Sequence, residues 1–276
     1  MKTLVSTADL AAALDGVSVV DATWFMPGDP RSALAEHRKA HIPGAVFFDI
    51  DAIADPASPL PHMLPTPEAF AEAAGRLGLS RERPVVVYDA QGIFSAPRVW
   101  WTLRAMGFHD VAVLDGGLKK WLAEGRPTEA GDAPVAPASV TPAFDAELVC
   151  DLAAVRSVVD QGGAQVLDGR PAARFRGEAP EPRAGLRGGH MPGACSLPFA
   201  DLVEADGTLK PPAELARAVA AAGVDLHRPV ITTCGSGVAA AALSLALAVL
   251  GHERAAVYDG SWTEWGGRTD TPVATG

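Results

Sequence analysis

Residues 229–238 read PVITTCGSGV and are followed by an Ala- and Leu-rich stretch over residues 239–250. The β-branched run predicts a strand, the glycines predict a tight loop, and the Ala/Leu stretch predicts a buried helix. Cys234 therefore stands between a strand and a helix N-terminus. Backbone N–H groups and the positive end of the helix dipole favour the nucleophilic thiolate there. The alternative is a small buried hydrophobe, as most free cysteines are.

Short apolar runs alternate with helical patterns along the whole chain. The predicted strands are residues 17–20, 85–88, 111–114, 166–168, 230–233 and 255–258, and the predicted helices include 67–77, 96–106 and 118–124. This alternation is typical of an α/β fold with mostly parallel sheets flanked by helices. Ligands of such sheets bind beyond the carboxyl ends of the strands, which is where Cys234 is expected.

Three stretches of the first half recur in the same order in the second half. The pairs are HIPGA 41–45 with HMPGA 190–194, RPVVVYD 83–89 with RPVITTC 228–234, and DGG…W 115–121 with DGS…W 259–265. A single repetition at a nearly constant offset indicates a duplicated domain. We expect domains at residues 1–126 and 143–276, joined by a Pro-, Ala- and Thr-rich linker at 127–142 that follows an extended path.

Composition excludes several classes of protein. The 276 residues carry a formal net charge of -10, which argues against a general nucleic-acid binder. Three cysteines without paired spacing form neither a disulfide framework nor a zinc site, and they suit a reducing compartment. The longest apolar run, residues 238–250, is too short to span a bilayer, and the N-terminus lacks a secretory pattern. We expect a cytoplasmic protein that binds no metal and no membrane.

The residues around Cys234 narrow the chemistry. Cysteine-dependent phosphatases need an Arg six residues after the nucleophile, and Ala240 stands there. Cysteine protease or acyltransferase chemistry needs a neighbouring base, and the sequence assigns no His to Cys234. Sulfur transfer fits better, because the amides of Gly235, Gly237 and their neighbours can hold a persulfide anion. The first copy has Asp89 in the equivalent position, so only the second copy carries a nucleophile.

Over essentially its whole length the chain resembles the rhodanese-like sulfurtransferases. The segments that carry the resemblance are WFMP 24–27, HIPGAVFFDID 41–51, HMLP 62–65, FSAPR 94–98, RFRG 174–177, EPR 181–183 and CGSGV 234–238. The resemblance implies two tandem rhodanese-like domains and no cofactor. The neutral pair Gly235 and Ser236 is similar to the branch that uses 3-mercaptopyruvate, whereas thiosulfate-specific members usually have basic residues there.

The resemblance also implies a mechanism. Cys234 would attack the sulfur of 3-mercaptopyruvate, release pyruvate, and pass the persulfide sulfur to cyanide or to a thiol such as thioredoxin. The loop residues Gly235, Gly237 and Val238 would bind the sulfur. Arg174 and Arg183 match the two family arginines that bind the oxo acid, although their Arg/Glu/Pro-rich segment alone would indicate a solvated loop.

Ser236, His62 and Asp51 match a proposed family relay that would manage protons during the reaction. Both His62 and Asp51 precede the linker, and by themselves they would be read as a loop histidine and a helix cap. Ala239 departs from the Thr that usually follows the valine of this loop. A thiosulfate:cyanide sulfurtransferase and a non-catalytic rhodanese-like binding module remain the alternatives.

The remaining candidates are expected to be structural. We predict packing roles for Cys150, on a helix, and for Cys195, in the position of Val46. Asp21 and Asp168 end equivalent strands and should accept structural hydrogen bonds. Trp262 and Trp265 follow the last strand and either border the pocket or pack in the core.

Overall fold

The chain divides into two compact units in the computed structural model, which describes residues 1–276. The first unit comprises residues 1–56, 64–145 and 204–209, and the second comprises 57–63, 146–203 and 210–276. Each unit thus includes a short segment from the other half of the sequence. As a result, His62 groups with the unit that contains Cys234, whereas Asp51 belongs to the first unit.

The first unit is built on a five-stranded parallel sheet in the order β1-β5-β4-β2-β3. The strands are β1 (Leu4–Val5), β2 (Ser18–Asp21), β3 (Val46–Phe47), β4 (Val85–Tyr88) and β5 (Val111–Leu114). The helices are α1 (Thr7–Ala13), α2 (Ala33–Lys39), α3 (Ile50–Ile53), α4 (Pro67–Arg76), α5 (Ala96–Ala105) and α6 (Gly117–Ala123). Every residue of β4 and β5 is buried, as expected for parallel strands with both faces covered.

The second unit repeats this architecture, with a parallel sheet in the order β6-β10-β9-β7-β8. Its strands are β6 (Val149–Cys150), β7 (Gln165–Asp168), β8 (Cys195–Ser196), β9 (Val230–Thr233) and β10 (Ala256–Tyr258). Its helices are α7 (Leu152–Gln161), α8 (Ala172–Phe175), α9 (Pro212–Ala221), α10 (Val238–Val249) and α11 (Ser261–Gly267). The central strand of each sheet, β4 or β9, leads directly into Asp89 or Cys234.

The predicted α/β fold is confirmed. The six predicted strands and the helices over residues 67–77, 96–106, 118–124 and 239–250 are found to within one residue at each end. The structure adds four outer strands of two residues each, which are too short to produce a periodic pattern.

The prediction that Cys150 lies on a helix is wrong. Cys150 ends the edge strand β6 and pairs with Tyr258 of β10. The helix begins only at Leu152, because Asp151 caps it by accepting a hydrogen bond from the Ala154 N–H at 2.8 Å. Cys150 nevertheless packs in the core of the second unit, as do Trp262 and Trp265, which are fully buried.

Residues 127–142 run along the surface of the first unit without a helix or strand. Glu129 and His41 exchange two backbone hydrogen bonds of 2.9 Å, and the Ala138 N–H donates to the Gly75 carbonyl at 2.9 Å. A Cβ at Gly75 would lie 2.5 Å from the Ala138 carbonyl oxygen, so this close approach requires glycine. These contacts hold the segment in an extended path.

None of the helices combines the length and the apolar character that a membrane span requires.

Candidate active site

The loop between β9 and α10 carries Cys234, Gly235, Ser236 and Gly237. Gly237 has φ +85°, a left-handed conformation that turns the chain into the helix at Val238. Nearly all residues of α10 are buried, which fixes the helix against the sheet and the loop at its N-terminus. The first-turn N–H groups of α10 have no intrahelical acceptors and carry the positive end of the helix dipole.

The backbone of Cys234 is held by the start of α11. Its N–H donates to the Ser261 hydroxyl at 3.2 Å, and its carbonyl accepts from the Trp262 N–H at 2.9 Å. Ser261 adopts φ +48°, a strained conformation for a residue with a side chain, and its hydroxyl donates to the Tyr258 carbonyl at 2.9 Å. The Gly235 carbonyl accepts from both the N–H and the hydroxyl of Thr263, at 2.9 and 2.7 Å. The cysteine therefore has a fixed backbone, and the residue is 3% exposed.

The equivalent loop of the first unit shows what this scaffold binds. There the carboxylate of Asp89 is fully buried and accepts five backbone hydrogen bonds of 2.8–2.9 Å. The donors are the N–H groups of Gln91, Gly92, Phe94, Ser95 and Ala96.

Burial raises the pKa of Asp89 above its ordinary value, and hydrogen bonds from the backbone N–H groups of the loop act in the opposite direction. Because all five partners are donors, the ionised carboxylate is the form that this loop accommodates. The strand-to-helix loop of the fold is thus an anion cradle. The sequence indicates only that Asp89 replaces the cysteine, and the pattern DxxGxxSA following a strand is the available signal for this role.

Arg174, on α8, lies beside the Cys234 loop. Its Nη2 is 3.2 Å from the position that a Cβ at Gly235 would occupy. Its Nε donates to Glu181 Oε2 at 3.1 Å, and the side chain is 20% exposed. This placement differs from the solvated loop that the Arg/Glu/Pro-rich composition suggests, because a charged network holds the guanidinium.

That network contains two residues that the sequence did not single out for a role, Arg170 and Glu181. Arg170 binds Asp168 at 2.7 Å and Glu181 at 2.8 Å, and its guanidinium stacks 4.1 Å from the Trp262 ring centroid. The spacing of charges along residues 168–183 is equally compatible with a surface loop, so only the fold identifies the partners.

Arg183 follows in the same segment and is half-buried, and its guanidinium makes no ion pair. The structure thus places both predicted arginines in the unit that contains Cys234. One is fixed by a carboxylate, and the other is available to a ligand.

The three relay candidates fall in both units. Ser236 lies two residues after Cys234 and is buried. His62 belongs to the segment of residues 57–63 that groups with the second unit, where it is buried and adopts φ +62°. Asp51 lies in the first turn of α3 in the first unit, and its Oδ2 accepts a hydrogen bond from the Trp24 indole at 2.9 Å. Asp49, not Asp51, caps that helix.

The other two thiols have surroundings that suppress reactivity. Burial raises the pKa of Cys150 to about 12 and also raises the pKa of Cys195. The strand-ending aspartates act as structural acceptors, as predicted. Asp21 accepts hydrogen bonds from Thr23 and Tyr88, and Asp168 accepts from Arg170.

A family model described as Rhodanese-like domain matches residues 6–124 and 151–268. The chain belongs to the rhodanese family. Within that family it is 45% identical over 258 residues to the 3-mercaptopyruvate sulfurtransferase of Escherichia coli strain K12, covering 93% of this chain and 92% of the relative. It is 43% identical over 251 residues to the Homo sapiens 3-mercaptopyruvate sulfurtransferase, covering 90% and 84%.

Among solved rhodanese structures, SseA from Escherichia coli superposes with a TM-score of 0.87 at 41% identity. The match covers 95% of this chain and 99% of the other. The chain therefore contains two rhodanese domains, each with a five-stranded parallel sheet and flanking helices.

Proposed function

We propose that this rhodanese-family protein transfers sulfur from 3-mercaptopyruvate to a thiol or cyanide acceptor through a persulfide on Cys234. The observation that carries the proposal is a cysteine in a strand-to-helix loop of a kind that holds an anion in the first unit, with Arg174 beside it. Relatives named 3-mercaptopyruvate sulfurtransferase that match nine-tenths of the chain support the choice of donor.

In the first half-reaction, the Cys234 thiolate attacks the sulfur of 3-mercaptopyruvate. A bond forms between the two sulfur atoms, and the bond between sulfur and C3 of the donor breaks. The electron pair of that bond leaves with C3 as the enolate of pyruvate, which then takes up a proton. Cys234 remains as a persulfide, and no external oxidant or reductant is needed.

The Cys234 loop stabilises the sulfur anions. The Cys234 N–H is already bound to Ser261, so the remaining donors come from Gly235, Ser236, Gly237 and Val238, onward into the first turn of α10. Such preorganised donors favour both the attacking thiolate and the persulfide. Ala239 supplies its amide like any residue and lacks only the hydroxyl that the family usually has there.

Arg174 and Arg183 bind the carboxylate and carbonyl of the oxo acid, because a planar anion matches the guanidinium fork. Ser236, His62 and Asp51 move the proton from the thiol toward the departing enolate. For Ser236 the support is its place in the loop, and for His62 it is burial in the second unit.

In the second half-reaction, an acceptor thiolate or cyanide attacks the outer sulfur and returns the Cys234 thiolate. A protein dithiol such as thioredoxin is a suitable acceptor.

The three cysteines are free thiols, which suits the reducing cytoplasm. We propose that the two domains comprise residues 1–126 and 143–276, joined by a linker at 127–142, and that nucleic acid is not a partner.

A comparison of sulfur donors tests the proposed substrate. With cyanide or a thiol as acceptor, kcat/KM for 3-mercaptopyruvate should exceed that for thiosulfate by more than about tenfold, or 1.4 kcal/mol in activation free energy. Pyruvate release follows the reaction of 3-mercaptopyruvate, and thiocyanate formation from cyanide follows the reaction of either donor. Equal or reversed specificity would instead identify a thiosulfate:cyanide sulfurtransferase.

Substitution of the cysteine tests the nucleophile. Cys234→Ser should show no turnover, because a hydroxyl cannot form a persulfide, and intact-protein mass spectrometry should find one added sulfur atom only in the wild type. Cys195→Ser is the matched control and should keep its activity. Turnover by Cys234→Ser would refute the mechanism, and absence of turnover in the wild type with every donor would indicate a binding module.

A further inference from the structure

Glu181 is an acidic residue whose side chain is only 1% exposed, although it lies in an Arg- and Pro-rich loop. Its two carboxylate oxygens bind two different arginines. Oε1 accepts from Arg170 Nη1 at 2.8 Å, whereas Oε2 accepts from both Nε and Nη2 of Arg174. A buried carboxylate between two guanidinium groups holds both in fixed positions.

Arg170 is the fixed end of this arrangement. Its side chain is almost fully buried, it donates to both carboxylate oxygens of Asp168, and it donates to the Gly189 carbonyl at 2.8 Å. Asp168 ends strand β7, so the chain of charges begins at the sheet itself. The ring of Trp262 covers the Arg170 guanidinium, and the backbone N–H of Trp262 donates a hydrogen bond to the Cys234 carbonyl.

Arg174 is the member of this network that has a guanidinium edge open to a ligand. Its Nε–Nη2 edge is occupied by Glu181, so the edge formed by Nη1 and the second hydrogen of Nη2 is the one left for a ligand. Nη2 lies 3.2 Å from the Cβ position of Gly235, one residue after the nucleophile. The direction in which Arg174 meets a donor molecule is therefore set by Glu181.

We propose that Glu181 is a positioning residue that orients the Nη1–Nη2 edge of Arg174 toward the carboxylate of the oxo-acid donor. The proposal rests on the proposed function above. Glu181 does not touch the substrate, and it acts by orienting Arg174 and by balancing the charges of two neighbouring arginines. Without its charge, Arg170 and Arg174 share no counter-ion, and Arg174 is free to change rotamer.

Glu181→Gln keeps the volume of the side chain and removes the charge. We expect KM for 3-mercaptopyruvate to rise about tenfold while kcat changes by less than about twofold, because ground-state alignment is lost and the chemistry at Cys234 is unchanged. Loading of Cys234 from inorganic polysulfide, a sulfur source without a carboxylate, should proceed at the wild-type rate. Glu181→Asp keeps the charge and should recover part of the affinity.

Glu178→Gln is the matched control. Glu178 lies in the same loop and pairs with Arg176, but both side chains are exposed. The KM of the Glu178→Gln variant for 3-mercaptopyruvate should therefore equal that of the wild type. If Glu181→Gln does not fold, Glu181→Asp carries the test and should show a smaller rise in KM.

An unchanged KM in the folded variant would overturn the proposal, and so would an equal slowing of polysulfide loading, which indicates a collapsed loop. Failure of the wild type to release pyruvate would instead overturn the proposed function.

Discussion

Gly235 shows how one missing side chain permits the arrangement of the site. A Cβ at this position would lie 3.2 Å from Arg174 Nη2, closer than an ordinary van der Waals contact, and no other atom is within 4 Å of it. The clash is with the end of a flexible side chain, so the fold tolerates it. A substitution at residue 235 should therefore change the orientation of the Arg174 side chain rather than the stability of the fold.

We predict that Gly235→Ala lowers kcat/KM for 3-mercaptopyruvate by about threefold to tenfold, since Arg174 must shift by a few tenths of an ångström. Steady-state kinetics and thermal unfolding measure the two effects separately, and Tm should change little. Gly16→Ala, at a position with nothing within 4 Å, controls for the loss of a glycine. A large drop in Tm with unchanged KM would contradict this prediction.

Cys150 should resist thiol reagents in the folded protein. Burial raises the pKa of Cys150 to about 12, so its thiolate is scarce until the pH approaches that value. In the folded protein at pH 7–9, iodoacetamide should leave Cys150 unmodified, as followed by peptide mass spectrometry. Denatured protein is the control, in which Cys150 should react with an ordinary thiol pKa of about 8.5. Rapid labelling of Cys150 in the folded state would show that it is not protected.

At the scale of elements, the loop after the central strand determines what each unit can do. In the first unit the loop closes around Asp89 with five N–H donors, and in the second it presents Cys234. The same strand and helix arrangement thus encloses a buried carboxylate in one unit and, in the function we propose, presents the nucleophile in the other.

Asp89→Ala should destabilise the first unit by at least about 3 kcal/mol, because five buried donors lose their acceptor. Urea unfolding, with each unit fitted by its own transition, measures the change. Asp160→Asn removes an exposed carboxylate and should stay within about 0.5 kcal/mol of the wild type. A loss below about 1 kcal/mol for Asp89→Ala would mean that water replaces the carboxylate.

At the scale of the whole molecule, the sequence predicts the central strands and the long helices because each is a run of one periodicity. The internal repeat adds the duplication, since HIPGA and HMPGA lie at equivalent places before strands β3 and β8. The two-residue edge strands escape prediction because nothing local distinguishes them. For that reason the sequence predicts a helix at Cys150, where the structure has the edge strand β6.

The site residues likewise fall into those with a local sequence signal and those placed by long-range packing. The signal for Cys234 is local, since strand, loop and helix adjoin it in sequence. The partners of Arg174 depend on how residues 168–183 fold back on one another, and no periodicity encodes that path. The segment exchange that groups His62 with the second unit likewise depends on long-range packing.

The occupied cradle around Asp89 has a thermodynamic consequence for the other loop. Asp89 is a ligand that never dissociates, so the first unit is equally complete throughout turnover. In the proposed cycle the Cys234 loop holds a thiolate before sulfur is loaded and the larger persulfide anion afterwards, and by linkage any additional hydrogen bonding that the persulfide receives also stabilises the folded second unit. Donor treatment should therefore raise the Tm of the second unit, and sulfur acceptors should return it to its starting value. The Tm of the second unit would then measure the fraction of Cys234 that carries sulfur.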